Sequence, residues 1–166
     1  EINDDAIIIK SPGKPVKPLK LNQIKQFSAP SLSRNPKIMY VFEQLELVEQ
    51  RGLGFSTIKE LPENFDIPLP MVSYQEPYMV FIFPRSADAL KRIDNTPGIS
   101  KLNNEELKGL GWIRLKGEVN TRQYANHFDY SYKKAQRHLA KMRDLNLIMD
   151  NGEPSTSPNY GYITKL

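Results

Sequence analysis

Residues 121–143 constrain the fold more than any other stretch of the chain. They read Thr-Arg-Gln-Tyr-Ala-Asn-His-Phe-Asp-Tyr-Ser-Tyr-Lys-Lys-Ala-Gln-Arg-His-Leu-Ala-Lys-Met-Arg. Thr121 and Ser131 are both residues whose side chains cap helices, and each opens an apolar repeat at helical spacing. The first repeat predicts a short helix with Tyr124, Ala125 and Phe128 facing inward. The second predicts a helix from Ser131 with Ala135, Leu139 and Met142 inward. Ala125 and Ala135 are small enough for the two helices to cross closely. Two such helices joined by one tight turn predict a helix-turn-helix.

The outward side of the second helix is chemically uniform. Lys133, Lys134, Arg137, Lys141 and Arg143 are basic, and no acid occurs between Ser131 and Arg143. An ordinary solvated helix mixes signs, so a uniform strip points to a polyanion. The first turns of the second helix are the part such motifs insert into the major groove of duplex DNA. Lys133, Lys134, Gln136 and Arg137 are therefore the expected readers. Arginine holds a guanine edge through two hydrogen bonds, glutamine an adenine edge, and lysine mostly phosphate. Tyr132 is expected at a base edge or on the backbone, and Arg122, Lys141 and Arg143 on phosphates. A plainly solvated face, or a protein-binding one, is the blander alternative, because such domains also serve as dimerisation modules.

The flanking segments extend this into a winged helix. Asn103 or Asn104 caps a preceding helix whose inner face is Leu107, Leu110, Ile113 and Trp112, and Gly117 ends it. After the second helix, Leu147-Ile148-Met149 and Tyr160–Thr164 predict two strands around a Pro/Ser-rich loop. That loop carries Asp150 and Glu153 and no Lys or Arg, so little phosphate contact is expected from the wing. His127 and His138 read as surface or interhelical residues rather than a metal pair. Tyr124, Phe128 and Tyr130 read as core rather than as a stacking platform.

The first half reads differently. Residues 2–9 predict strand, turn, strand, with Asp4-Asp5 at the turn. A proline-rich, basic loop follows, with a short helix near Leu21–Phe27. Asn35-Pro36 is a strong helix start, and Ile38, Val41, Phe42, Leu45 and Val48 recur as one apolar face up to Gly52. A second helix is expected from Phe55 to Leu61, stopped by Pro62. Met71–Tyr74 and Tyr78–Phe83 predict an antiparallel pair, the second arm central because it is apolar throughout. Residues 84–101 show no sustained pattern. The expected organisation is thus α+β: a small mixed domain over 1–88, a linker over 89–100 and a winged helix over 101–166.

Composition closes off several classes. The chain of 166 residues has no cysteine, which removes disulfides, thiolate metal sites and cysteine nucleophiles. Its longest apolar runs, Ala6–Ile9 and Tyr78–Phe83, are far short of a membrane span. Residues 1–100 hold 12 basic and 12 acidic side chains, whereas 101–166 hold 11 and 7, so the whole net charge of +4 sits in the last third. No targeting segment is visible, and the opening Glu1 without an initiator Met reads as part of a longer protein; a cytoplasmic setting is the expectation.

Four segments in order carry a resemblance: Asp5–Gly13, Ser33-Arg-Asn-Pro36, Leu45-Glu-Leu-Val-Glu-Gln-Arg-Gly-Leu-Gly54, and Val80-Phe-Ile-Phe-Pro-Arg85. They resemble the C-terminal region of bacterial transcriptional regulators and RecG-related ATP-dependent DNA helicases. Those proteins carry an N-terminal Schlafen-type AlbA_2 domain, then this region, then a winged helix. The resemblance covers about residues 1–85. Its grouping with histidine-kinase-type ATPases likens Gly52-Leu53-Gly54 to a nucleotide lid. Yet the chain has no Asn/Glu box helix, no phosphate loop, no Walker-type acidic motif and no helicase motor motif.

The expected function is that of a non-enzymatic regulator fragment without cofactor. Its partners are duplex DNA, a second copy as homodimer, and a preceding domain of the same protein. The alternatives are a protein-interaction and oligomerisation module of a larger helicase-related or Schlafen-like enzyme, and a fragment of an ATP-dependent enzyme.

Overall fold

The computed structural model describes residues 1–48 and 52–165. The chain is mixed α+β and divides into two compact units, Glu1–Phe83 and Pro84–Leu166. In the first unit Ile2 bridges to Ile7 across the Asp4-Asp5 turn, within reach of strand β1 (Ala6–Pro12). Strands β2 (Met71–Gln75) and β3 (Tyr78–Pro84) pair antiparallel, Met71 opposite Ile82 and Gln75 opposite Tyr78. The sheet order β1-β3-β2 makes the continuously apolar β3 the middle strand, as its sequence predicts. Val80, Met79 and Val72 join Ala6, Ile24 and Phe27 in the core, with helix α1 (Leu21–Lys25) lying against β2. Arg34 donates to the carbonyl of Lys14 at 2.6 Å and covers Gly13, so this arginine of the basic loop fastens the loop to itself.

Helix α2 (Pro36–Gln44) starts where Asn35-Pro36 predicts but stops at Gln44, well before Gly52. Glu46 then turns the chain with a left-handed φ of 56°. Four residues of the expected apolar face, Ile38, Val41, Phe42 and Leu45, are exposed. Periodicity marks which residues share a face; it does not say that anything covers them. Glu49, Gln50 and Arg51, which belong to the Leu45–Gly54 segment quoted above, lie outside the described residues. Pro62 does not end a helix. It occupies the first turn of α4 (Leu61–Asn64), which follows α3 (Gly54–Lys59), because a proline there needs no N–H partner.

The second unit begins earlier than expected. Residues 89–100 are not a linker. Helix α5 (Ala87–Ile93) is capped by Ser86, whose hydroxyl accepts from the Ala89 amide at 3.1 Å. Ala89 and Leu90 are buried, as is Ile99 in the short 3-10 turn Ile99–Lys101. Helix α6 (Asn104–Lys116) opens with a reciprocal cap between Asn103 and Glu106 and ends at Gly117, φ 80°. Helix α7 (Thr121–His127) is capped by Asn120 rather than Thr121: Asn120 and Gln123 exchange hydrogen bonds of 2.8 Å. Thr121 is instead the first helical residue and is buried. Helix α8 (Tyr132–Asp144) is capped by Ser131, as expected. Strands β4 (Glu118–Val119), β5 (Ile148–Asp150) and β6 (Tyr162–Thr164) form an antiparallel sheet in the order β4-β6-β5. Among the described residues no helix is long and apolar enough to cross a membrane.

Helices α6, α7 and α8 meet on Tyr124, which is fully buried with Leu110, Ile113, Ala135, Leu139 and Met142. The tyrosine hydroxyl lies against Gly109 of α6, where a Cβ would overlap it. Replacing Gly109 by alanine should therefore cost about 1–3 kcal/mol of stability, although alanine favours helix more than glycine. Urea denaturation checks this: the midpoint falls if the contact is as tight as described, and rises if propensity decides.

Candidate nucleic-acid interface

The α7–α8 turn is made by Phe128, Asp129 and Tyr130. Asp129 takes a left-handed φ of 52°, a conformation aspartate tolerates, and the Tyr130 amide then donates to the Ala125 carbonyl at 2.9 Å. Ser131 restarts the chain as a cap, so the N-terminal turns of α8 leave the core at a fixed point. On this helix Ala135, His138, Leu139 and Met142 are buried. The opposite side carries Tyr132, Lys133, Gln136 and Arg137, all exposed.

The basic strip is divided rather than uniform. Lys134 and Lys141 flank the buried face and turn to α6. Lys134 donates to Glu105 at 2.9 Å, and its ammonium sits 3.8 Å above the Tyr130 ring. That ammonium holds the Glu105 carboxyl below its ordinary pKa. Lys141 donates at 2.6 Å to Glu106, a carboxylate that is only 5% exposed and also caps α6. Arg143 lies 3.8 Å from Asp150 at the start of the β5–β6 loop, and Asp150 also accepts from the Tyr160 hydroxyl at 2.6 Å. Three of the expected contacts, Lys134, Lys141 and Arg143, are thus matched by acids of the same unit. Arg122, on the first turn of α7, and Lys133 and Arg137 on α8 are exposed and form no ion pair within 4 Å among the described residues, Glu105 attracting Arg137 only from further off.

The two glutamates were legible as favourable charges at the start of α6, but not as partners for α8. His138 is a second feature whose role the sequence leaves open. Its Nδ1 lies 3.3 Å from the Tyr124 hydroxyl, and its Nε2 is 4.0 Å from Glu105. Burial pushes the phenol of Tyr124 up and the imidazole of His138 down from its usual 6.5. The protonated phenol and the neutral ring thus share this hydrogen bond, its direction set by the ring tautomer. Glu105 and Glu106 favour the charged ring and Lys134 and Arg137 oppose it, but burial is the largest influence. His127, by contrast, is exposed and stacks on Trp112 at 4.4 Å. The two histidines do not form a pair.

These contacts carry two expectations. Lys141→Ala leaves a buried carboxylate without its cation and should cost about 1–3 kcal/mol, scaled down because Lys141 itself is partly in water; chemical denaturation measures it. For His138 the folded state refuses a proton that the unfolded chain accepts below its ordinary pKa. Stability is thus full above about pH 6.5 and falls as pH drops below it. The fall in melting temperature between about pH 7 and pH 5.5 should be smaller in His138→Gln. An unchanged pH profile would mean that the ring is protonated in place.

Residues 1–83, half of the chain, match the model of a family described as "Putative ATP-dependent DNA helicase recG C-terminal". No curated protein and no solved structure matches the chain.

Proposed function

The chain belongs to the family described as "Putative ATP-dependent DNA helicase recG C-terminal", and from that premise we propose that it is a DNA-binding part of a transcriptional regulator. In this reading residues 101–166 act as a winged helix and the first half of α8 enters the major groove of duplex DNA. The observation that carries it is the exposed, unmatched set Arg122, Lys133 and Arg137 beside Gln136 and Tyr132. Arg137 and Gln136 are the readers, through bidentate contacts to base edges. Lys133 and Arg122 hold phosphate, and Tyr132 lies along the groove wall. Lys134, Lys141 and Arg143 position the helix through their acids instead of touching DNA. The reading includes two copies bound about a two-fold axis, a cytoplasmic setting and action by binding rather than catalysis.

Salt dependence tests this division of labour. The two phosphate contacts per chain give a log–log slope of about −2, whereas phosphate contacts from all six cations would give about −5. A slope near zero removes the proposal. On a duplex selected from a random pool, Arg137→Ala should weaken binding by about 1–3 kcal/mol and relax preference at one position. An equal loss on every sequence would make Arg137 a phosphate contact only.

A further inference from the structure

Residues 6–42 contain no aspartate or glutamate, and Lys14, Lys17, Lys20, Lys25, Arg34 and Lys37 fall within them. The fold of the first unit draws this stretch into a closed loop. Arg34 donates to the Lys14 carbonyl at 2.6 Å, which brings its two ends together. The Gly13 amide donates to the Pro77 carbonyl at 2.7 Å, which ties the loop to the β2–β3 turn. Between the ends, the Leu19 amide donates to the Val16 carbonyl, and Ile24 and Phe27 anchor α1 in the core. The cations stay outside. All six are exposed, and among the described residues only Lys14 has a carboxylate within 4 Å, that of Glu76 at 4.0 Å. On α7 and α8 three of six cations are matched by acids; in this loop one of six is. Three residues span at most about 10 Å, so Lys14, Lys17 and Lys20 follow one another within about a Debye length and their fields add.

Two exposed aromatic rings flank the loop. Tyr40, 61% exposed, lies three residues from Lys37 on the same side of α2. Tyr78, 43% exposed, follows Pro77, the residue to which Gly13 is tied. We propose that the Lys14–Lys37 loop, with Tyr40 and Tyr78, binds single-stranded nucleic acid, the cations following its phosphates and the two rings stacking on its bases. Exposed cations beside exposed aromatic rings suit an unpaired strand, whose base faces are free. A duplex offers the same phosphates but keeps its bases stacked on one another, so the tyrosines have nothing to take. A lipid surface calls for apolar side chains that insert beside the lysines. In the stretch from Lys14 to Lys25 these are half-buried, as Val16, Leu19 and Leu21, or buried, as Ile24. The proposal goes beyond the reading of α8. It rests on the other unit and holds whether or not α8 binds duplex DNA.

Fluorescence anisotropy of a labelled oligothymidylate of about 12 nucleotides, titrated with the whole chain, tests this. Binding should saturate at about 0.1 M salt, and contacts from the five unmatched cations give a log–log salt slope of about −3.5. Tyr40→Ala and Tyr78→Ala should each weaken binding about fivefold or more, while Tyr78→Phe, which keeps the ring, should bind as the unaltered chain does. The double variant Lys17→Glu with Lys20→Glu should weaken binding about tenfold or more and make the slope shallower by about 1.4, whereas Lys101→Glu in the second unit should leave both nearly unchanged. All these positions are exposed, so melting should stay the same. Oligouridylate run in parallel tells RNA from DNA, and saturable binding of either supports the proposal. No saturable binding of either strand overturns it, as does binding of phosphatidylserine vesicles in their place. So does binding indifferent to both alanine variants, or displacement of the strand by an equal concentration of duplex.

Discussion

Everything in the second unit hangs on the burial of Tyr124. Its ring fills the space where α6, α7 and α8 converge, in edge or tilted contact with Trp112, Phe128 and Tyr130. Its hydroxyl needs both a partner and room. His138 supplies the first from α8, and the missing side chain of Gly109 supplies the second from α6. A buried hydroxyl left without a partner would cost free energy comparable to a lost hydrogen bond. One residue of α7 therefore fixes the distance and rotation of both neighbouring helices.

That rotation decides what α8 shows to water. With Ala135, Leu139 and Met142 inward and His138 turned to Tyr124, Lys134 and Lys141 stand on the flank beside α6, where Glu105 and Glu106 meet them. Glu106 has two tasks: it closes the cap of α6 and binds the last turns of α8. The acids of α6 thus anchor one flank of the basic helix. Lys133 and Arg137, on the side away from the core, stay exposed to water. The same divided logic applies to the loop after β5. Asp150 takes Arg143 and Tyr160, which ties the base of that loop to the end of α8 and leaves its tip acidic and polar.

Much of this was legible in the sequence. The caps at Asn103 and Ser131, the stop at Gly117, the central place of β3 and the buried residues of α7 and α8 follow from local chemistry and spacing. The paired acids were readable only in half. On a helical wheel residues 134, 138 and 141 form a stripe next to the buried one, so a neighbouring helix was foreseeable, but its identity depends on how α6 crosses. Helix α5 is too short for a sustained apolar repeat, although Ser86 with Asp88 two positions on is a start signal. Thr121 and Asn120 are both good caps, so local chemistry alone does not choose Asn120 for α7. The exposure of the apolar face of α2 is not readable from the sequence, because periodicity reports amphipathicity and not its partner.

The central claim is that the first turns of α8, and not its flank or the β5–β6 loop, face nucleic acid. Amide chemical shifts of the isotope-labelled chain, followed as a short duplex is added, test it most directly. The account predicts the largest changes at Arg122 and over residues 132–137, with Lys141, Asp150 and the β5–β6 loop nearly still. Changes centred on that loop or on the first unit, or none at all, would contradict it.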